Sequence, residues 1–198
     1  MVRVIAFSVV GSISNYYTGH AHFLMSGILL CPETFKRYFL KSKDAKAILN
    51  GLSGSFRAYV GQVLNDKTGV EVVEADFGRV FLIDGKPMLF ESGKRVFPTL
   101  KFETFLVHAA RAVVDMGAVA HVCGGADVMA PGIVRYEGNF EKGDFVVVVD
   151  VRYGKPLLLG ETLVDSVSAR KMAHGAVVRN VHFVGDKVWN FMREFSGS

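Results

Sequence analysis

Apolar and polar positions change rhythm along this chain, and the changes predict its elements. Ala45, Ala47, Ile48 and Leu52 fall at helical spacing. Ser42 stands as their N-cap, Asp44 sits in the first turn, and Gly51 and Gly54 end the helix. Tyr59 to Leu64 fits helix or strand. Val70 to Val73 and Arg79 to Ile83 read as strands around an Asp76-Phe77-Gly78 turn. Asp84-Gly85 is a hairpin signal, because both residues tolerate positive φ, and Pro87 to Phe90 is the return strand. Phe102, Phe105, Leu106 and Ala109 then predict a helix reaching Val113, with Thr99 as its cap.

Beyond Asp115 the pattern turns to strands. Ala118 to Val122, Phe145 to Val151, Pro156 to Leu163 and Ala176 to Phe183 are short apolar runs with glycine turns between them. Gly124 to Ile133 reads as a glycine-rich turn with a short helical stretch, Ser166 to Met172 as a short helix, and Lys187 to Met192 as a closing strand after Gly185-Asp186. Short strands at close spacing predict a small barrel. The fold class is α+β, with a small α/β domain at 35–112, a β-barrel domain with short helices at 113–198, and an extension at 1–34.

The extension has strand composition at Arg3 to Val10 and an ambiguous apolar run at Phe23 to Leu30 before Pro32. Both runs fall well short of the about 20 apolar residues that span a bilayer. Arg3 precedes an apolar run as in a signal peptide, but no cleavage site follows. The reading is a cytoplasmic protein with no membrane partner.

Composition narrows the picture. Half of the 198 residues are hydrophobic and 21% are charged, enough for a packed core. The net charge of +4 permits a nucleic-acid partner without requiring one. The excess lies in the first half, mostly at Lys36, Arg37, Lys41, Lys43, Lys46 and Arg57, against Asp44. That stretch is either a phosphate-facing surface or a solvated helix face. Cys31 and Cys123 are far apart and form no CxxC pair, so neither a metal site nor a disulfide is expected.

VDMGAVAHVCGGADVMAPGIV at 114–134, GDFVVVV at 143–149, KPLLLGET at 155–162 and GAVVRNVHFVGDKVW at 175–189 come in an order that resembles the PUA domain, with the last piece as its closing hairpin. The resemblance covers about residues 114–190. FKRYFLKSKDAKAIL at 35–49, VEVVEADFGRVFLIDGKPMLFE at 70–91 and VFPTLKF at 96–102 are similar to the pre-PUA domain. Together they resemble archaeal relatives of the malignant T-cell-amplified sequence and ligatin family, in which a segment like Phe97-Pro98-Thr99-Leu100 leads into the PUA domain.

The resemblance implies RNA binding at the segment Gly124, Gly125, Ala126, Asp127, Met129, Pro131 and Gly132. Glycines let backbone approach a ligand, and Met129 and Pro131 offer an apolar surface. Asp127 either accepts from the RNA or caps the turn. Arg135, Arg152, Arg170, Lys171 and Arg179 are the basic residues expected to form a face with it. The family implies a translation role, with tRNA or rRNA and the small ribosomal subunit as partners. Residues 1–34 have no counterpart in that pattern. No second domain of the ligatin kind follows, so such a translation-factor module would come from a partner protein.

Catalysis is not expected, nor is a cofactor or a metal. Asp44, Asp66, Asp76 and Asp84 stand in turn or cap contexts. Cys123 has no His arrangement beside it, and His108, His121, His174 and His182 are scattered. The glycine spacing of GGADVMAPG is wrong for a dinucleotide loop. Three readings stay open: an RNA-binding adaptor in translation, an accessory subunit of an RNA-modifying enzyme, and a protein–protein module.

Overall fold

A computed structural model of the chain describes residues 35–52, 54–65 and 68–195, and these form one compact unit. The expectations for residues 1–34, Cys31 and Asp66 lie outside the described residues. Two sheets organise the unit. The first is an antiparallel meander of β1 (Lys36–Phe39), β2 (Val70–Ala75), β3 (Gly78–Ile83), β4 (Lys86–Ser92) and β5 (Arg95–Pro98). Helices α1 (Ser42–Gly51) and α2 (Gly54–Val63) connect its first two strands. Asp84 at φ 49° and Gly85 at φ 79° make the expected tight hairpin. Ser42 opens α1 as its first helical residue, with Lys41 in the cap position and no side-chain cap bond. Tyr59 belongs to α2, which settles that ambiguity as helix.

Side chains alternate between the faces of this sheet, apart from a register shift between β3 and β4. Val72, Phe81, Ile83 and Leu89 pack with Ala45, Leu52, Phe56 and Val60 of α1 and α2. Val73, Val80, Leu82, Phe90 and Phe97 pack with Val188, Phe191 and Met192. The latter come from α6 (Lys187–Phe195), which stands where a closing strand is expected. The reason is Asp186. Its carboxylate accepts the Trp189 N–H at 2.7 Å as a helix cap, and its other oxygen accepts the Phe183 N–H at 3.0 Å.

The passage between the sheets also departs from expectation. Thr99 is fully buried and caps no helix. Its hydroxyl donates to the Pro87 carbonyl at 2.6 Å and accepts the Lys101 N–H at 3.2 Å. Helix α3 is short (Glu103–His108), because Arg111–Val114 is strand β6 of the second sheet. Ala112, Val113 and Val114 have no exposed surface there, and pairing on both sides overrides the helical spacing.

The second sheet runs β7-β11-β10-β9-β6-β8, where β7 is Val128–Met129, β8 Ile133–Glu137, β9 Phe145–Asp150, β10 Pro156–Thr162 and β11 Ala176–Phe183. The two edge strands, β7 and β8, are joined only by the single 3-10 turn Ala130–Gly132, so the sheet curls back on itself as a barrel. Between β6 and β7 lies α4 (Met116–Val122), where a strand is expected. The Asp115 carboxylate accepts the Ala118 N–H at 2.8 Å and starts this helix. A last short helix, α5 (Ser166–Ala169), is capped by Asp165, whose carboxyl sits below its usual range because the Ser168 backbone N–H bonds the ionised form. Among the described residues, no helix is long and apolar enough to cross a membrane.

The two sheets share a core. Val113, Val147, Val149 and Leu159 of the barrel pack with Leu100, Phe102, Phe105 and Phe56. The Phe145 ring meets Phe56 and Phe97 edge-on at 5.2 and 5.7 Å. At the rim, the Arg95 guanidinium of β5 grips the Glu161 carboxylate of β10 through two bonds of 2.8 and 3.1 Å.

Two outcomes follow. Phe191→Ala should cost about 3 kcal/mol in denaturant unfolding. Hydrogen exchange of this variant should show protection lost first in β2–β4, and protection equal to wild type throughout would show that α6 does not hold this face of the sheet. Glu161 is held below the ordinary carboxylate range, chiefly by the Arg95 hydrogen bond. A lowered folded pKa gives stability present above the unfolded value, and that stability is lost as pH falls through the folded one. Glu161→Gln should therefore cost about 1–2 kcal/mol at neutral pH and progressively less as pH falls below the ordinary carboxylate range, read from melting temperature against pH.

Candidate nucleic-acid interface

Three chain segments meet at one end of the barrel. The Asp115 N–H donates to the Gly132 carbonyl at 3.0 Å, which ties the start of α4 to the Ala130–Gly132 turn. The Val151 N–H donates to the Val114 carbonyl at 2.9 Å, which ties in the β9–β10 turn. The glycine segment begins beside them, at Asn180 and Phe183, and runs back along β11 to Ala176. Gly125 adopts φ +94°, and a Cβ there would sit 3.4 Å from the Phe183 ring. A Cβ on Gly132 would lie 3.2 Å from the Ala118 Cβ. Both glycines thus have a reason within the fold, besides any approach of a ligand.

Asn180 latches the segment to the barrel. Its side-chain amide donates to the Val122 carbonyl at 2.9 Å and the Ala126 carbonyl at 3.0 Å. The Asp127 carboxylate accepts the Asn180 backbone N–H at 2.8 Å. Of the two roles open to Asp127, the geometry fills the structural one. Gly124, Gly125, Ala126, Asp127, Met129 and Pro131 all remain exposed on the outer side of this latch.

The five basic residues do not form one face. Arg111 lies opposite both Glu137 and Val147, whereas Val114 lies opposite Ile133 and Asp150. The loop after β8 and the turn after β9 are therefore at opposite ends of the strands. Arg170 belongs to the former: it donates to the Gly138 carbonyl at 2.8 Å and the Ser166 carbonyl at 3.2 Å, and it lies over the Tyr136 ring. Lys171 follows it, exposed. Arg179 sits in the seam, 3.5 Å from Glu161 and sharing it with Arg95. Arg135 is paired with Glu137 at 2.9 Å. Arg152, on the β9–β10 turn, is the one of the five at the glycine corner that lacks an ion pair among the described residues.

The corner also contains residues that the sequence reading missed. Met116, Val134, Val151 and Tyr153 are 43%, 55%, 39% and 66% exposed, and Lys155 is exposed beside them. The available signal was Arg152-Tyr153-Gly154-Lys155, an aromatic between two cations in a turn after a buried strand. Elsewhere, the basic stretch near the first strand is partly neutralised: Arg37 pairs with Glu71 at 2.8 Å and Lys36 with Glu74 at 3.3 Å.

The chemistry-bearing groups have structural duties. Asp84 accepts the Gly69 N–H, Asp76 pairs with Lys187, and His182 is fully buried with its Nδ1 2.7 Å from Asp186. Burial pushes the Cys123 thiol up, away from the thiolate that a nucleophile needs. Among the described residues, no group of His, Cys, Asp and Glu is arranged to hold a metal.

Two family models match the chain: the domain of unknown function DUF1947 over residues 36–103 and the PUA domain over residues 110–184. An uncharacterized protein of Methanocaldococcus jannaschii is 39% identical over 160 residues, covering 80% of this chain and 98% of that one. Translation machinery-associated protein 20 of Saccharomyces cerevisiae is 26% identical over 143 residues, covering 68% and 79%. Among solved structures, a hypothetical protein from Pyrococcus horikoshii OT3 superposes with a TM-score of 0.66 at 34% identity, covering 79% of this chain and 99% of that one.

The latch is testable by itself. Asp127→Ala should lower stability by about 1–2 kcal/mol, because it strips a charged acceptor from the Asn180 N–H. Asp127→Asn keeps an acceptor oxygen and should recover most of that in thermal melts. Equal melting temperatures for wild type and Asp127→Ala would show that the contact does no structural work.

Proposed function

The chain belongs to a family in which a DUF1947 domain precedes a PUA domain, with relatives named translation machinery-associated protein 20 and malignant T-cell-amplified sequence 2, and from that premise we propose that it is a non-catalytic RNA-binding protein of translation. It contacts tRNA or small-subunit rRNA through the glycine corner of its C-terminal barrel, and it works in the cytoplasm.

The observation that carries this reading is the convergence of α4, the Ala130–Gly132 turn and the β9–β10 turn into one exposed surface. That surface combines apolar side chains with the cations Arg152 and Lys155. The nearby carboxylates are already committed: Asp115 to a helix cap, Asp127 to Asn180, and Asp150 to the N–H groups of Tyr153 and Lys155. An anionic polymer therefore meets cations and backbone, with few free negative charges to repel it. Cys123, Asp76 and Asp84 are spent on packing, an ion pair and a turn.

Binding of the full chain to tRNA, or to isolated small ribosomal subunits by co-sedimentation, tests the proposal. With about three phosphates neutralised, affinity should fall roughly twentyfold between about 50 and 200 mM salt. Failure to bind any RNA at the lower salt would remove the RNA reading altogether.

A further inference from the structure

A cleft of about 300 Å³ opens in the seam between the two sheets, beside the Arg95–Glu161 pair. Its floor is apolar. Phe90 and Phe97 stack there at 5.3 Å, with Phe77, Val181 and Val188 around them. That volume is at the lower end of small-molecule sites, which occur preferentially where two domains meet.

Among the described residues, the charged groups lining the cleft are Arg95 of β5, Glu161 of β10 and Arg179 of β11. Glu161, with 15% of its side chain exposed, accepts from both terminal nitrogens of Arg95. The Arg95 guanidinium also lies over the Phe97 ring at 5.2 Å, which fixes it from a second side. Arg179 is held far less. Its contact with Glu161 is 3.5 Å, longer than a good hydrogen bond, and its side chain is 56% exposed. One carboxylate thus stands between two guanidiniums, and the Arg179 donors face the cleft largely unused.

Charge and floor together select a ligand. One further negative charge neutralises the two arginines and Glu161, and a carboxylate presents two oxygens to the guanidinium fork. An RNA strand fits less well. Its phosphates repeat along the chain, yet Lys187, next to the wall residue Val188, is already paired with Asp76 at 3.0 Å. A phosphodiester also has no apolar body to cover the phenylalanine floor, and neither has a small inorganic anion.

We propose that this cleft binds a small organic carboxylate with an aromatic or branched aliphatic body. The carboxylate sits on Arg179, and the body lies on Phe77, Phe90 and Val188. The acid therefore lies across the seam, with the first sheet on one side and the barrel on the other. The site is independent of the RNA contact proposed above, and it gives Arg179 a ligand other than RNA.

The test titrates phenylacetate and isovalerate into the isotope-labelled full chain and follows its NMR shifts. At least one acid should give saturable shifts at Phe77, Arg179 and Val181, with a Kd at or below about 1 mM. Acetate carries the charge without the body, and benzyl alcohol the body without the charge. Each should bind about tenfold more weakly or worse. Arg179→Gln should weaken the acids about tenfold, and Ser92→Trp, which fills the cleft from an exposed position, should abolish their binding. Both side chains are exposed, so both variants should melt close to wild type, which separates a lost site from lost folding. If neither acid gives saturable shifts, or acetate binds as well as they do, the proposal is overturned and the RNA-binding reading is untouched. If tRNA displaces the acid, Arg179 belongs to the RNA surface and the proposal falls while RNA binding stands.

Discussion

Strand β9 is buried on both faces, and the rest of the structure depends on that fact. Val146 and Val148 point into the barrel, whereas Val147 and Val149 point into the core shared with the first sheet. A strand between two cores needs apolar side chains at every position, which is why the chain reads Phe-Val-Val-Val-Val there. β6 and β10 follow the same rule in miniature: Val113 and Leu159 face the shared core while Ala112, Val114 and Leu158 face the barrel. The N-terminal sheet therefore packs against the barrel as a second layer, and α6 returns from the barrel to cover its far face. Burial of this extent makes the two parts unfold together and keeps the barrel's strand ends in fixed positions.

Much of this architecture was legible because it follows from local chemistry. The Asp84-Gly85 hairpin needs two residues at positive φ, and few other pairs supply them. The β9 run announced a doubly buried strand. The misread elements are those where one cap or one partner strand decides between two acceptable local states. Ala118 to Val122 has strand composition, but the Asp115 carboxylate accepts the Ala118 N–H and makes α4 a helix. Asp186 does the same for α6, where Gly185-Asp186 also resembles a hairpin turn. Arg111–Val114 continues a helical spacing but is claimed by β8 and β9 on either side. Sequence carries the aspartates in both cases, and the choice lay in recognising them as caps instead of turns.

The site was legible in part, for a related reason. The glycines and Asp127 were identified from their order in a familiar pattern, but pattern does not tell a ligand contact from an internal one. Gly125 faces the Phe183 ring, Gly132 faces Ala118, and Asp127 serves Asn180. Basic residues far apart in sequence gave no clue to which end of the barrel each occupies. Arg170 and Arg152 stand at opposite ends because β8 runs against β6 while β9 runs with it. Tyr153 escaped notice because a single tyrosine in a turn is unremarkable until its exposure and its two cationic neighbours are seen together.

The internal duties of the corner bear on the RNA contact proposed for it. A surface ordered only on binding loses part of its interaction energy to the entropy of that ordering. Here the ordering precedes the ligand. Asn180 fixes the glycine segment, Asp150 fixes the β9–β10 turn, and both rest on strands anchored in two cores. Substitutions at Gly125 or Asp127 act on that scaffold first, so any loss of affinity there reports the frame as much as a contact. Exposed side chains that the frame does not need, Arg152, Tyr153 and Lys155, separate the two effects.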